Sequence, residues 1–571
     1  MIDRSSRHHG GMAATHEVTN QPPPLEGYDV FGADAALVEA TEREGAAWAA
    51  DDLHALGRLA GSPEAIAWGF DANRNPPELR THDRYGHRVD EVAYHPAYHE
   101  LMRVAVGHGL HAAPWAVDRP GAHAARAAGF LTWSQVEAGH LCPVSMTYSI
   151  VPALRHQPDL AAEWEPRLVA RAYDPRDVPA REKPGALAGM GMTEKQGGSD
   201  VRANTTRAER ADGAGGEPGA RGEEAGDGSW RLTGHKWFCS APMSDVFLML
   251  AQAPGGLSCF LVPRWLPDGG RNAGFRLQRL KDKLGNRSNA SGEIELDGAV
   301  AWLVGEEGRG VRTIIDMVAH TRLDCVIGSA SGMRRGVAEA VWHARHRSAF
   351  GRRLADHPAM VNVLADLAVE SEAATVLAMR LARAFDETAR GDEGADAFRR
   401  LACAVGKYWV CKRQPTQVGE ALECLGGNGY VEESIMPRLF RESPLNGIWE
   451  GSGNVMCLDV LRVLAREPQA LEAFLGELDA ASGADARLDA AVARVRHELG
   501  DVVGIEARAR RVVEAMALAL QGSLLVRYGH PAVADAFCAS RLAGNEGLAL
   551  GTLPPGIDVG TIIERARPKV G

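Results

Sequence analysis

IWEGSGNVM, residues 448–456, sets one carboxylate, Glu450, between a bulky aromatic residue and a Gly-Ser-Gly turn. Trp449 and Ile448 make the approach apolar, and Gly451 and Gly453 remove side-chain bulk behind it. A Glu so placed is either an ordinary loop acid or a general base in a dry pocket, where burial lifts a carboxylate's pKa toward working pH. Three further stretches have chemistry-bearing residue types. GMTEKQGGSD (191–200) combines two glycines, which let backbone approach a ligand, with the hydroxyls of Thr193 and Ser199. ECLGGNGYVEESIMPRLFRES (423–443) is a second Gly-rich turn, followed by Arg438 and Glu442. HARHRSAFGRRL (343–354) gathers Arg345, Arg347, Arg352 and Arg353 around Phe350-Gly351, and reads equally as a solvated helix end. No G-x-G-x-x-G, G-x-x-x-x-G-K-[ST] or H-E-x-x-H pattern occurs, so dinucleotide-fold, P-loop and zincin readings have no support, and no metal site is expected.

The elements that must position these residues come in three textures. Residues 1–25, ending in QPPPLEGY, read as a poorly ordered lead-in. Residues 26–185 are Ala-, Leu- and Glu-rich and predict a helical domain. Residues 186–305 break into WRLTGHKWF, DVFLMLAQ, LSCFLVPR and GEIELDG, short aromatic and aliphatic runs between turns, and predict a β domain. Within it, 211–228 is a Gly-rich insert that reads as a mobile hairpin tip. Residues 306–466 return to helix. Met360, Val363, Leu364, Leu367, Leu377 and Leu381 follow a three-four spacing that gives one buried stripe and predicts a bundle. A break at Glu467-Pro468 precedes a last helical segment, 467–571.

At 571 residues the chain exceeds one compact core, and with 45% hydrophobic and 24% charged residues it has a soluble globular composition. No run of about 18 apolar residues appears, so no membrane span is expected. The first residues, MIDRSSRHHGGM, lack an apolar stretch, and the nine cysteines include no C-x-x-C pair. Both features lead us to expect a cytoplasmic protein with reduced thiols. A net charge of −11 argues against a surface that coats nucleic acid as a whole.

Taken together, the motifs resemble those of the acyl-CoA dehydrogenase flavoenzymes. GMTEKQGGSDVRA is similar to that family's first signature, ECLGGNGYVEESIMPRLFRE to its second, RSAFG to its flavin-diphosphate arginine motif and IWEG to its catalytic glutamate motif. All four stand in the family's order. MTEKQGGSDVRANTTRAER, RLKDKLGNRSNAS and SPLNGIWEGSGNVMCLDVLRVL, with stretches near both ends, resemble the AidB branch, the alkylation-response flavoproteins. The resemblance implies an α+β chain with the acyl-CoA dehydrogenase fold: an N-terminal helical domain, a middle β domain, a helical bundle, and an extra C-terminal helical domain. It also implies FAD as cofactor, an acyl-CoA substrate with an electron acceptor the sequence does not identify, a homotetramer, and binding of double-stranded DNA.

Residue by residue, the resemblance gives Glu450 the role of base, with its own backbone N–H polarising the substrate thioester carbonyl. Met192 and Thr193 match positions at the flavin ring edge. Ser240 matches the hydroxyl that closes the N5 side, and Phe238 stands where the family usually has Trp. Ser199 matches a cofactor and substrate contact, and Gly451 and Arg322 fall on the acyl side. Arg322 reads equally as a helix salt bridge. Arg347 and Phe350 match the diphosphate and adenine contacts. Glu423, Gly426 and Gly427 match contacts to a cofactor across a subunit interface, and Ser452 and Asn454 match contacts following the base. Three residues depart from the pattern: Pro358 replaces a Gln, Ala349 a Ser or Thr, and Glu423 a Gln. Each removes a polar cofactor contact or changes its charge.

The expected function is therefore FAD-dependent α,β-dehydrogenation of a short or branched, isovaleryl-like acyl-CoA. The alternative is a DNA-binding flavoprotein of the response to DNA alkylation whose dehydrogenation is vestigial; a third idea is flavin-based inactivation of alkylating agents. Residues 466–571 hold 12 Arg or Lys against 14 Asp or Glu, so that segment is not basic overall. Its positive charge clusters at Arg494, Arg496, Arg508, Arg510 and Arg511. On a helix 508 and 511 share a face while 510 points elsewhere, and the ordinary reading is a solvated, salt-bridged helix; for the DNA binding that the resemblance implies, the candidate contacts are Arg494, Arg496, Arg508 and Arg511.

Overall fold

The structure, a computed structural model, describes residues 15–211, 228–544 and 547–570. The first 14 residues of the expected lead-in and the interior of the Gly-rich insert lie outside the described residues. Residues 20–25 are tied down: Arg347 Nη1 donates to the Asn20 carbonyl at 2.6 Å, Trp342 Nε1 to the Pro23 carbonyl at 2.7 Å, and Leu25 is buried.

Helices begin where the sequence supplies caps. Asp34 accepts from the Leu37 N–H ahead of Ala35–Arg43, and Ser62 accepts from the Ala65 N–H ahead of Pro63–Arg74, where proline fills the first position. Helices Ala122–Ser134 and Leu141–Leu154 are buried nearly all round. One departure from the helical expectation is an antiparallel hairpin, Glu78–His82 with Arg88–Ala93. Its turn forms because Asp83 Oδ1 accepts the Tyr85 and His87 N–H groups, with Gly86 at φ +89°. The strands ELRTH and RVDEVA carry too few apolar residues to show an alternation, which hid them. Asp90 joins the hairpin to the β region by accepting from the Leu277 N–H at 3.1 Å.

The β region holds a seven-stranded sheet. Its order runs Ala188–Gly191, Val246–Ala253, Arg207–Arg210, Ser229–Ser240, Ser291–Val304 and Gly256–Pro263, with Phe275–Leu280 on Ser291–Val304. Gly256–Pro263 also pairs with Val246–Ala253, so the sheet closes on itself around Trp230, Phe247, Phe260 and Ile294. The bundle follows as helices Gly310–His346, Pro358–Ala389 and Glu393–Cys424, then Met436–Glu442 and Gly453–Arg466. Helices Pro468–Asp479, Ala486–Gly500, Ala509–Tyr528, Pro531–Phe537 and Val559–Ala566 complete the chain.

One apolar core runs from Leu37 and Trp133 through Leu367 and Val405 to Phe474, Leu520 and Phe537. The last helices thus share the bundle's core. They are pinned to it by Trp409 Nε1 donating to Gln521 Oε1 at 3.0 Å and by a buried ion cluster of Arg541 with Asp366, Glu370 and Arg413. All nine cysteines are buried and unpaired. Among the described residues no helix is long and apolar enough to cross a membrane.

Candidate active site

Glu450 sits on the turn between helices Met436–Glu442 and Gly453–Arg466, in the left-handed region at φ +58°. That conformation costs a non-glycine residue roughly 1–2 kcal/mol, so something must hold it. Three successive carbonyls are held by cations. Arg322 Nε donates to the Glu450 carbonyl at 3.1 Å, and Lys407 Nζ donates to the Trp449 carbonyl at 2.7 Å and to that of Gly451. Trp449 Nε1 reaches Asn446 Oδ1 at 2.9 Å, fixing the indole. Gly451 is at φ +107°, a backbone conformation that favours glycine behind the carboxyl.

One oxygen of the Glu450 carboxyl is shut off from solvent, while the residue as a whole is part-buried. Glu450 Oε2 is buried and has no hydrogen-bond partner among the described residues. Burial pushes the Glu450 carboxyl above the ordinary range; Thr321, Lys407 and Arg322 offset only part of that rise. Trp449, Met192 and Met243 pack on an apolar cluster containing Met146, Ile150, Leu248 and Met317. This cluster joins helix Leu141–Leu154, helix Gly310–His346 and the sheet, and lends the site apolar walls.

On the sheet side, the loop 191–200 is anchored by a pair the sequence reading did not single out. Glu194 and Lys236 meet at 2.9 Å, both fully buried, and Glu194 also accepts from the backbone and hydroxyls of Thr205 and Thr206. Burial alone would raise the Glu194 carboxyl; Lys236 and these donors overcome it and hold it well below the usual range. Trp237 N–H donates to the Thr193 carbonyl at 2.8 Å, and Asn204 Nδ2 to that of Met192 at 2.9 Å. The register of Ser229–Ser240 shifts between Lys236 and Cys239, and this bulge leaves Phe238 half exposed. Lys281 Nζ lies 3.1 Å over the Trp237 ring and 4.7 Å from that of Phe238. Ser240 pairs with Ser291 beside the buried Cys142, whose thiol burial pushes up to about 11. Ser199 is exposed on the loop.

Of the remaining cofactor candidates, Arg347, Phe350, Glu423, Gly426 and Gly427 lie at the bundle's ends, and Ser452 and Asn454 directly follow Glu450. Phe350 is 97% exposed at φ +52°, two residues after a short strand begins at Ser348. Gly426 (φ +58°) and Gly427 have open space where a Cβ would be, beside the exposed Glu423. Ser452 is the N-cap of helix Gly453–Arg466 with no side-chain cap bond, and Asn454 Oδ1 accepts from Arg510 Nε at 2.8 Å. Arg322, read at the sequence level as an acyl-side residue or a salt bridge, has its donors engaged behind Glu450: besides the Glu450 carbonyl it pairs with Asp459 at 2.8 Å. Arg438 and Glu442 of the second Gly-rich motif are interior braces. Arg438 Nη2 donates to the Val136 carbonyl at 2.7 Å, and Glu442 accepts from Asn286 N–H and Nδ2 at 2.5 and 2.9 Å.

The C-terminal arginines do not form an unpaired stripe. Arg494 Nη2 donates to the Leu542 carbonyl at 2.7 Å, and Arg496 pairs with Asp479 at 2.6 Å. Arg508 pairs with Glu498 and Asp501, and Arg511 with Glu498 at 2.9 Å. Arginines 508 and 511 do share a face, because both meet Glu498, but the chain's own carboxylates neutralise them.

Residues 20–175 match the model described as adaptive response protein AidB N-terminal domain. Residues 189–299 match the acyl-CoA dehydrogenase middle domain, and residues 308–465 its C-terminal domain. The Escherichia coli (strain K12) AidB protein is 46% identical over 538 residues, covering 94% of this chain and 96% of that one. Acyl-CoA dehydrogenase family member 11 of Caenorhabditis elegans is 31% identical over 428 residues, 71% of this chain and 65% of that one. Among solved structures, Caenorhabditis elegans ACDH-11 in complex with C11-CoA superposes with a TM-score of 0.80 at 26% identity, over 99% of this chain and 94% of that chain. The apo form of Bd2924 superposes at 0.79 and 27% identity, over 89% and 99%.

Proposed function

Since the chain belongs to the acyl-CoA dehydrogenase family, in its AidB branch, we propose that it oxidises the α,β bond of a short or branched acyl-CoA with Glu450 as base. The observation that carries this reading is the buried, partnerless Oε2 of Glu450 on a turn held in a left-handed conformation. Glu450 takes the α proton, and its N–H donates to the thioester carbonyl as charge develops there. Trp449, Met192 and the cluster around Met146 and Ile150 exclude water and seat the acyl chain. Met192, Met146 and Trp449 offer such a chain a sulfur- and aromatic-lined wall, and an isovaleryl-like chain is the member we take first. The product is the 2-enoyl-CoA.

As a member of this family the protein is an FAD-dependent oxidoreductase, and its residues fit that cofactor. The rim of Met192, Thr193 and Ser240 presents backbone and hydroxyl groups, with Ser199 on the loop beside it and the half-exposed Phe238 next to Ser240. Gly426 and Gly427 leave room that a Cβ would fill, and Arg347 lies three residues before Phe350. FAD held there would supply the acceptor for the β hydrogen. The exposure of Phe350 and of Tyr430 (78%) supports a cofactor shared across subunits, and a homotetramer as the assembly.

The test is anaerobic mixing of the purified flavoprotein with isovaleryl-CoA and a panel of acyl-CoA chains, following flavin absorbance and enoyl-CoA formation. Rapid bleaching by one chain, with stoichiometric enoyl product, is expected; a flavin that no chain bleaches overturns the reading. A second reading, a DNA-associated flavoprotein of the alkylation response, draws support from the match of residues 20–175 to an adaptive-response model. The intramolecular pairing of Arg496, Arg508 and Arg511 weighs against those residues as its DNA contacts.

A further inference from the structure

Lys407 lies in the middle of helix Glu393–Cys424, in the bundle core, far in sequence from the motif it touches. Its side chain is fully buried, and among the described residues no carboxylate lies within ion-pair reach of it. Its ammonium bridges the Trp449 and Gly451 carbonyls, the two that flank Glu450. A buried ammonium is costly unless it is hydrogen-bonded and meets compensating charge. The neighbouring carbonyl, that of Glu450 itself, is occupied by Arg322, but Arg322 has its own carboxylate in Asp459. Lys407 therefore holds two carbonyls on one turn, and its charge bears on the Glu450 carboxyl between them.

Resting on the reading of Glu450 as base, we infer that Lys407 is a positioning residue for the reaction. It clamps both sides of Glu450 to hold the left-handed turn, and its charge favours the ionised carboxylate in a site that excludes water. The groups facing Glu450 are Thr321, Arg322 and Cys325 from helix Gly310–His346, Lys407 from helix Glu393–Cys424, and Cys142 from helix Leu141–Leu154. Burial raises both thiols, so they stay neutral, leaving Lys407 and Arg322 as the cations. Loss of the Lys407 charge therefore moves the basic form of Glu450 to higher pH.

The experiment uses the flavin-loaded protein and two variants. Lys407→Met removes donor and charge; Lys407→Gln keeps amide donors and removes charge only. Phenylacetyl-CoA, which has α hydrogens but no β hydrogen to give, reports proton removal alone through exchange in D₂O. For Lys407→Met we expect α-proton exchange about a hundredfold slower, with acyl-CoA affinity unchanged and faster amide hydrogen exchange at residues 449–453. For Lys407→Gln we expect parent-like amide protection and a pH–rate limb displaced upward. Parent-like α-proton exchange in Lys407→Met, or an unmoved limb in Lys407→Gln, overturns the inference. If Lys407→Met does not fold, the Gln limb decides. If the parent neither exchanges α protons nor reduces its flavin, the reading of Glu450 fails instead, and parent-like amide protection of 449–453 in Lys407→Met would separately remove Lys407 as clamp.

Discussion

At the scale of single residues, the proposed function rests on how the Glu450 carboxyl is buried and aimed. Burial raises the Glu450 carboxyl above its ordinary range, and only the deprotonated form takes a proton. Flavin reduction should therefore rise with pH through that raised value and level off above it, a limb that stopped-flow absorbance reads directly. A rate with no acid limb down to the ordinary carboxylate range, or one that falls as pH rises from that range, contradicts a carboxylate base. Gly451→Ala should be severe, since the position is at φ +107°, where a Cβ is strained. We expect flavin retained but reduction slowed about a hundredfold, the scale of an ångström-level displacement of a reacting group.

At the scale of elements, the loop 191–200 is fixed by burying a charge pair rather than by its glycines. Glu194→Gln leaves Lys236 fully buried without its carboxylate, and equilibrium urea unfolding should show a loss of about 3–5 kcal/mol. A loss below about 1 kcal/mol would mean the loop is held by the Thr205 and Thr206 contacts alone. The sequence made the motifs legible because their residue types are local: IWEG, the Gly-rich loops and the aromatic strands each announce themselves within ten residues. The partners were not legible. Lys407 stands 43 residues from Glu450 and reads as one cation in an Ala-rich helix. Thr321 and Asp459 likewise carry no local mark, and the hairpin 78–93 lacked the apolar alternation that reveals strands. Arg322 was left open between an acyl-side role and a salt bridge, because a spacing cannot say where a guanidinium's donors go. The bulge at Trp237-Phe238 also depends on register with Ser291–Val304, which strand composition does not encode.

At the scale of the whole molecule, the C-terminal helices are built into the bundle rather than appended to it. Phe474, Leu520 and Phe537 share the core that holds Leu367 and Val405. A chain ending at Arg466 should therefore expose that surface and aggregate on expression; a monodisperse, flavin-binding truncation would show the helices to be a separable module. The same region tests the DNA reading. Arg508→Ala with Arg511→Ala removes the partners of Glu498. This should lower Tm by a few degrees while leaving the salt dependence of any DNA binding unchanged. A slope reduced by about one per arginine would place phosphate contacts there after all.

The measurement that bears most directly on the account is anaerobic flavin reduction by the best acyl-CoA in Glu450→Gln beside the parent. The account predicts a folded, FAD-loaded variant that binds the substrate and reduces its flavin at least about a hundredfold more slowly, the contribution of a positioned general base. A variant that bleaches as fast as the parent would contradict it, and the base would have to be sought on another element.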